Sequence, residues 1–392
     1  MFSIFLLIII YIAFISLGLP DSMLGAAWPA MYTDLGVPIS FAGFLTLTTC
    51  LGTVVSSLFY SGLRKRFRTE TITVVSVLLT ATALLLYSKI TSFYLLLPAA
   101  FVLGIGGGAV DAGLNTYVAI HYKARAMNFL HAFWGIGTLV GPFLLSYFFS
   151  HGISWRRGYT SVGSIQMAVF VIILVTLPIW KKVTDSDNLE AADNIKSGDS
   201  SNMVVLKRKG VKPALLGFFS YCAMEQTAML WSATYLVTTR GFSEGDAATA
   251  AGLLFWGITM GRIISGLVAD KLGDSLMIRI SHILILIGVL LLISLPSGLS
   301  AIVLFMIGIG CGPIYPAMLH QTPFYFGREN ASRVMGLEMT AAYVSCAVIP
   351  PLFGIIGRHI SMAIMPFWML FFLAMNFIVI EMKKKAGKAE RL

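Results

Sequence analysis

The chain has 392 residues, of which 57% are hydrophobic and 12% charged, with a mean hydropathy of +0.84 and a formal net charge of +10. Soluble domains carry about 25% charged residues. Too little charge is present to coat a water-facing surface, which excludes an ordinary soluble enzyme, and the apolar runs are long enough to cross a bilayer as helices.

The first run, "MFSIFLLIIIYIAFISLGLP", has no basic leading region and is too long for the apolar core of a cleaved leader, so it reads as a first membrane helix. In chain order the expected spans are 4–31, 40–63, 72–88, 93–120, 127–150 and 158–180, then 213–238, 247–268, 277–295, 299–321, 333–357 and 361–382. One long polar gap, 181–212, separates six spans from six. The domain expectation is a six-helix half over 1–180, a cytoplasmic linker over 181–212, a second half over 213–382 and a basic cytoplasmic tail over 383–392.

Lys and Arg set the orientation. With the N-terminus inside, 22 of them fall on inner connections or the tail and 5 on outer ones, with Arg262 left inside a span. Both termini are therefore expected in the cytoplasm. The net charge follows from topology and calls for no nucleic-acid partner. Cys50, Cys222, Cys311 and Cys346 all lie in apolar segments without a CxxC pair, so they read as small packing residues, with no disulfide framework and no metal site.

The second half lies over the first at a constant offset of 204. Asp21 meets Glu225, Gly62 meets Gly266, and "GIGGG" at 104–108 meets "GIGCG" at 308–312. After a longer inner loop the offset becomes 208, and Arg125 meets Arg333, Met127 meets Met335 and Pro142 meets Pro350. Parallel six-helix repeats are a hallmark of one class of secondary transporter.

On these residues the chain resembles the major facilitator superfamily over essentially its whole length. A second mark lies between spans 8 and 9. Gly266, Asp270, Lys271 and Gly273 look like the inner-loop motif G-x-x-x-D-[RK]-x-G. The first-half loop keeps Gly62 but has Arg66 where the acid is expected. The resemblance implies an all-α membrane protein of twelve transmembrane helices in two pseudo-symmetric halves, with spans 1, 4, 7 and 10 lining the substrate path.

Ionisable groups inside spans are costly and mark functional sites by default. At ~1.5 Å per helical residue, Asp21, Asp111 and Glu225 all lie about 15–20 Å from the nearer span end, near mid-depth. They fall in spans 1, 4 and 7, and Gln226 adjoins Glu225. Asn115 is four residues after Asp111 and shares its helix face. The glycines around Asp111 read as close-packing positions. In span 5, Asn128, His131 and Trp134 form one stripe, and an indole beside hydrogen-bonding groups suits a sugar, whose apolar face stacks while its hydroxyls pair. Tyr315 in span 10 and Trp256 in span 8 join the candidate substrate and coupling-ion set, with His320 and Gln321 lower in span 10. Arg262 and Glu338, close to the inner ends of their spans, read as gate or structural charges that pair with each other or with Asp270. Lys271 belongs to the same inner-loop group.

Within the superfamily the chain looks most like the fucose–galactose–glucose:proton symporters and the sodium-dependent glucose transporters. Asp21, the Asp111–Asn115 pair, "RAMNFLHAFWGIG" in span 5 and Glu225 carry the likeness. Span 4 departs with Asp for Glu, and span 5 has His131 and Trp134 where L-fucose permease-like proteins have amides. The implied function is import of a small polar solute, a monosaccharide (hexose), by symport with H+ or Na+ through alternating access. The chain would need no further cofactor and would act as a monomer in the cell membrane, of bacterial inner-membrane type. The alternative is a proton-coupled exporter of drugs or other small metabolites, for which "GTLVGP" (Gly137 to Pro142) has some likeness to an antiporter motif. No HExxH, GxSxG or clustered His/Cys supports an enzyme.

Overall fold

The computed structural model describes residues 2–64, 66–121, 124–184 and 206–389. Most of the expected linker therefore lies outside the described residues. Everything described is helix and short connection. Span 1 comprises Phe2–Asp21 and Met23–Asp34; spans 2 to 6 are Ala42–Arg64, Thr69–Lys89, Phe93–His121, Ala124–Ser150 and Trp155–Thr184. Span 7 is Val211–Arg240, spans 8 and 9 are Glu244–Ala269 and Lys271–Ser294, and spans 10 to 12 are Ser300–His320, Arg328–His359 and Met365–Ala389.

Among the described residues, eleven helices are long and apolar enough to cross a membrane. Span 7 is as long as the others but falls outside that set, because its 30 residues carry Glu225, Gln226 and a series of Ser and Thr. Two boundaries depart from expectation. Span 1 is interrupted at Ser22, two residues after Pro20, which has no N–H to donate to the preceding turn. Span 12 runs on to Ala389, so the first part of the basic tail is helix. Spans 8 and 9 form one helical run broken at Gly273, whose φ of 69° and ψ of 153° reverse the chain at the last glycine of the inner-loop motif. That φ is open to glycine and rarely to other residues.

The chain divides into two compact units. The first holds spans 1 to 6 together with Phe242–Gly252, the start of span 8; the second holds span 7 and the described chain from Leu253 onward. In the first unit, span 2 lies along span 4, span 3 along spans 4 and 6, and span 1 along span 5. Its core is built from Ile10, Phe14, Leu114, Leu130, Ile173 and Trp180. Thr249 joins it through a 2.6 Å bond between its hydroxyl and that of Ser146. In the second unit, span 7 lies along spans 11 and 12.

Close helix contact in a membrane comes from small residues and van der Waals packing, and the repeat reappears here. A Cβ on Gly104 would strike the carbonyl oxygen of Thr49 in span 2, and one on Gly106 would come within 2.6 Å of the Ser76 carbonyl in span 3. In the second unit a Cβ on Gly308 would strike the Leu254 carbonyl in span 8, and one on Gly310 would come within 2.6 Å of Ile285 in span 9. Gly137 packs on the carbonyl of Ile15. At its repeat-equivalent position, Ser345 donates its hydroxyl to the carbonyl of Phe219, 2.7 Å away. The offset read from the sequence is thus a register of backbone approaches.

Two of the cations in the short connections, Arg156 and Arg240, have partners. Arg156 pairs with Asp34 and donates to the Ile90 carbonyl at the end of span 3 (3.2 Å). Arg240 donates to the carbonyls of Leu292 and Leu295 at the end of span 9. Each satisfies acceptors that a helix C-terminus leaves open, where positive charge is favoured.

Candidate functional site

In the first unit the polar groups of spans 1, 4 and 5 are linked in pairs. Asp21 is exposed at mid-span, and its Oδ2 accepts a hydrogen bond from Trp134 Nε1 at 2.9 Å. The spans approach closely enough for this because Gly18 leaves room for the Trp134 carbonyl. Asp111, half-buried, accepts from Asn115 Nδ2 at 2.8 Å, and the same amide reaches the Asp111 carbonyl at 3.0 Å. Asp21 and Asp111 are near enough for their charges to interact. His131 is exposed one turn before Trp134, with its ring edge-on to Phe14 at 6.0 Å. The side chain of Asn128 lies outside the described residues. Two carboxylates with an amide and an indole beside them can accept hydroxyl donors or hold a small cation. Trp134 was expected as a stacking surface; what the structure shows is its indole N–H donating to Asp21.

In the second unit, Glu225 is buried, with 6% of its surface exposed. The hydroxyl oxygen of Tyr221, one helical turn earlier, lies 2.8 Å from Glu225 Oε1 and 2.7 Å from the carbonyl oxygen of Cys311 in span 10. Tyr315 is tilted against Tyr221 at 6.4 Å between ring centroids and edge-on to Phe218 at 5.2 Å. Arg262 in span 8 lies within electrostatic reach of Glu225. Gln226 Nε2 donates to the sulfur of Met229 at 3.6 Å, a weak acceptor. Trp256 is exposed and packs on Phe305 at 5.6 Å.

The inner-end expectations change more. Glu338 was expected to pair with Arg262. Instead its fully buried carboxylate accepts from Thr322 Oγ1 at 2.7 Å and lies in reach of Lys383. Lys383 was assigned to the tail, but it is buried, with its ammonium 4.7 Å above the Tyr325 ring. His320 and Gln321 turn to the start of span 9, to Asp274 (2.8 Å) and Ser275 (3.3 Å). Lys271 is exposed, and the Asp270 side chain lies outside the described residues.

One buried network was not anticipated. His282 in span 9 sets Nδ1 2.7 Å from the Ile278 carbonyl and Nε2 2.8 Å from Asn376 Oδ1 in span 12. Asn376 Nδ2 then donates to the Gly217 carbonyl at 2.7 Å and to Ser220 Oγ at 3.2 Å in span 7. Tyr221 was also missed, although its place four residues before Glu225 was a usable signal. Among the described residues, no group of three or more His, Cys, Asp or Glu is placed to hold a metal.

Comparison with known proteins fits this architecture. The sequence profile described as Major Facilitator Superfamily matches residues 10–350. The chain is 24% identical to the yeast (Saccharomyces cerevisiae) protein "Bypass of stop codon protein 6", over 91% of this chain and 77% of that one. It is 25% identical to the glucose/mannose transporter GlcP of Bacillus subtilis, over 82% of this chain and 78% of that one. The solved structure of the nucleoside transporter NupG superposes with a TM-score of 0.75 at 11% identity, covering 96% of this chain and 98% of that one, a likeness of fold. The protein is a multi-pass membrane transporter rather than an enzyme, and the chain belongs to the Major Facilitator Superfamily.

Proposed function

We propose that this transporter imports a monosaccharide, a hexose in the first instance, by symport with H+ or Na+ through alternating access. In this reading it works as two six-helix halves, 1–180 and 213–382, with both termini in the cytoplasm, and it falls with the L-fucose permease-like transporters. The observation that carries the reading is the paired set in the first unit. Asp21 with Trp134, and Asp111 with Asn115, supply acceptors, donors and an aromatic face on three adjacent spans. A pyranose needs that combination, because its hydroxyls must be paired as they leave water while its C–H face prefers an apolar or aromatic surface. The similarity to a glucose/mannose transporter over most of both chains supports the same class of solute.

The test is a thermal-shift screen of hexoses, pentoses, nucleosides and lipophilic cations on the purified protein, with and without sodium and across pH, followed by uptake of the best hexose into vesicles. Hexose stabilisation with gradient-driven uptake is expected. Asp111→Asn should abolish concentrative uptake while leaving counterflow, because a neutral isostere keeps the Asn115 contact without the charge. Stabilisation by lipophilic cations alone would replace the reading with the exporter, and undiminished uphill uptake in the variant would remove Asp111 from the coupling.

A further inference from the structure

Three oxygens meet where span 7 faces span 10: Glu225 Oε1, the Tyr221 hydroxyl and the Cys311 carbonyl. The two separations, 2.8 and 2.7 Å, are both those of full O–H···O hydrogen bonds. Two such bonds need two protons. The carbonyl has none, Tyr221 has one, and an ionised carboxylate only accepts. A carboxylate would leave Tyr221 with one proton between two acceptors, and one of the short contacts would be oxygen against oxygen without hydrogen.

We infer that Glu225 holds a proton in this arrangement and is the proton site of the second unit. Its carboxyl O–H donates to Tyr221, and Tyr221 donates onward to Cys311. Burial agrees with this, because a neutral carboxyl costs far less to enclose among helices than a charge does. The groups facing it are Tyr221 and Cys222 on its own helix, Arg262 on span 8, and Cys311 and Tyr315 on span 10.

Loss of the proton has a structural consequence. When the carboxyl gives its proton to water, it becomes an acceptor without a donor of its own. The Tyr221 proton must then choose between the carboxylate and Cys311, and charge favours the carboxylate, since hydrogen bonds to ionised groups are roughly twice as strong as neutral ones. The hydroxyl releases the Cys311 carbonyl, and the tie between spans 7 and 10 opens. Protonation of Glu225 closes it. The inference rests on the transport reading above only for what the proton is coupled to, and it names H+ as the ion.

Infrared difference spectroscopy on the purified full-length protein in lipid tests it without any sugar. Wild type minus Glu225→Gln should show, at neutral pH, a carbonyl-stretch band of a protonated carboxyl that shifts in heavy water and disappears at alkaline pH. Contributions from Asp21 and Asp111 cancel in that difference. Should the Gln variant misfold, wild type against Tyr221→Phe reads the same group, because loss of the Tyr221 oxygen moves the band to the position of a less strongly bonded carboxyl. A difference spectrum without a protonated-carboxyl band overturns the inference. The band without hexose uptake would sink the sugar reading and leave this one standing; hexose uptake without the band would do the reverse.

Discussion

Trp134 on span 5 donates its indole N–H to Asp21 on span 1 across 2.9 Å, joining residues 113 positions apart. Trp134→Phe keeps the ring and deletes the donor. A hydrogen bond of this kind contributes about 1 kcal/mol. Initial uptake should fall by roughly fivefold with little change in melting temperature. Uptake equal to wild type would show that Asp21 does not need this donor.

Two glycines of "GIGGG" should behave differently. A Cβ at position 104 overlaps a backbone carbonyl of span 2, whereas one at 107 comes no nearer than 3.7 Å to Leu17 Cδ1. Gly104→Ala should destabilise by about 1–3 kcal/mol, as overpacking does. Gly107→Ala should be neutral or stabilising by up to about 1 kcal/mol through the unfolded chain. Gly308→Ala should follow Gly104→Ala. Melting curves of the three variants in one detergent decide this, and equal curves would refute the register.

Asn376 serves His282, the Gly217 carbonyl and Ser220 at once. Asn376→Ala removes the group that joins His282 on span 9 to the Gly217 carbonyl and Ser220 on span 7. The expected cost is about 2 kcal/mol or more, read as a lower melting temperature and faster proteolysis. A melting temperature unchanged from wild type would mean that the network contributes nothing.

Lys383→Met removes a cation whose charge reaches the buried Glu338. Breaking a buried pair from one side costs about 3 kcal/mol. Adding Glu338→Gln should recover much of that loss, because no charge is then left uncompensated. A double-mutant cycle on thermal stability measures the coupling, and strictly additive losses would show that the two residues are independent.

The spans were legible in the sequence because a bilayer demands about twenty apolar residues in a row, and mid-depth acids were legible because their cost singles them out. The repeat was legible through its glycines, which mark backbone contacts rather than side-chain preferences. The pairings were another matter. Trp134 with Asp21, Tyr221 with Cys311, and His282 with Asn376 each join distant parts of the chain, and no local spacing encodes them. His282 gave no signal, because a single histidine in an apolar run carries no spacing pattern that names its partner. Lys383 was misplaced because a run of lysines reads as a solvated tail, while the helix carries its first member back into the packed interior.

The acceptor that closes the tie between spans 7 and 10 is a main-chain carbonyl. Point substitution of Cys311 exchanges the thiol and leaves that oxygen in place. Alanine scanning at position 311 would report on the buried thiol and not on this oxygen. Comparison of related sequences reads side chains and would pass over the carbonyl in the same way. Backbone amide-to-ester replacement, or isotope-edited infrared labelling of that one carbonyl, would make it visible.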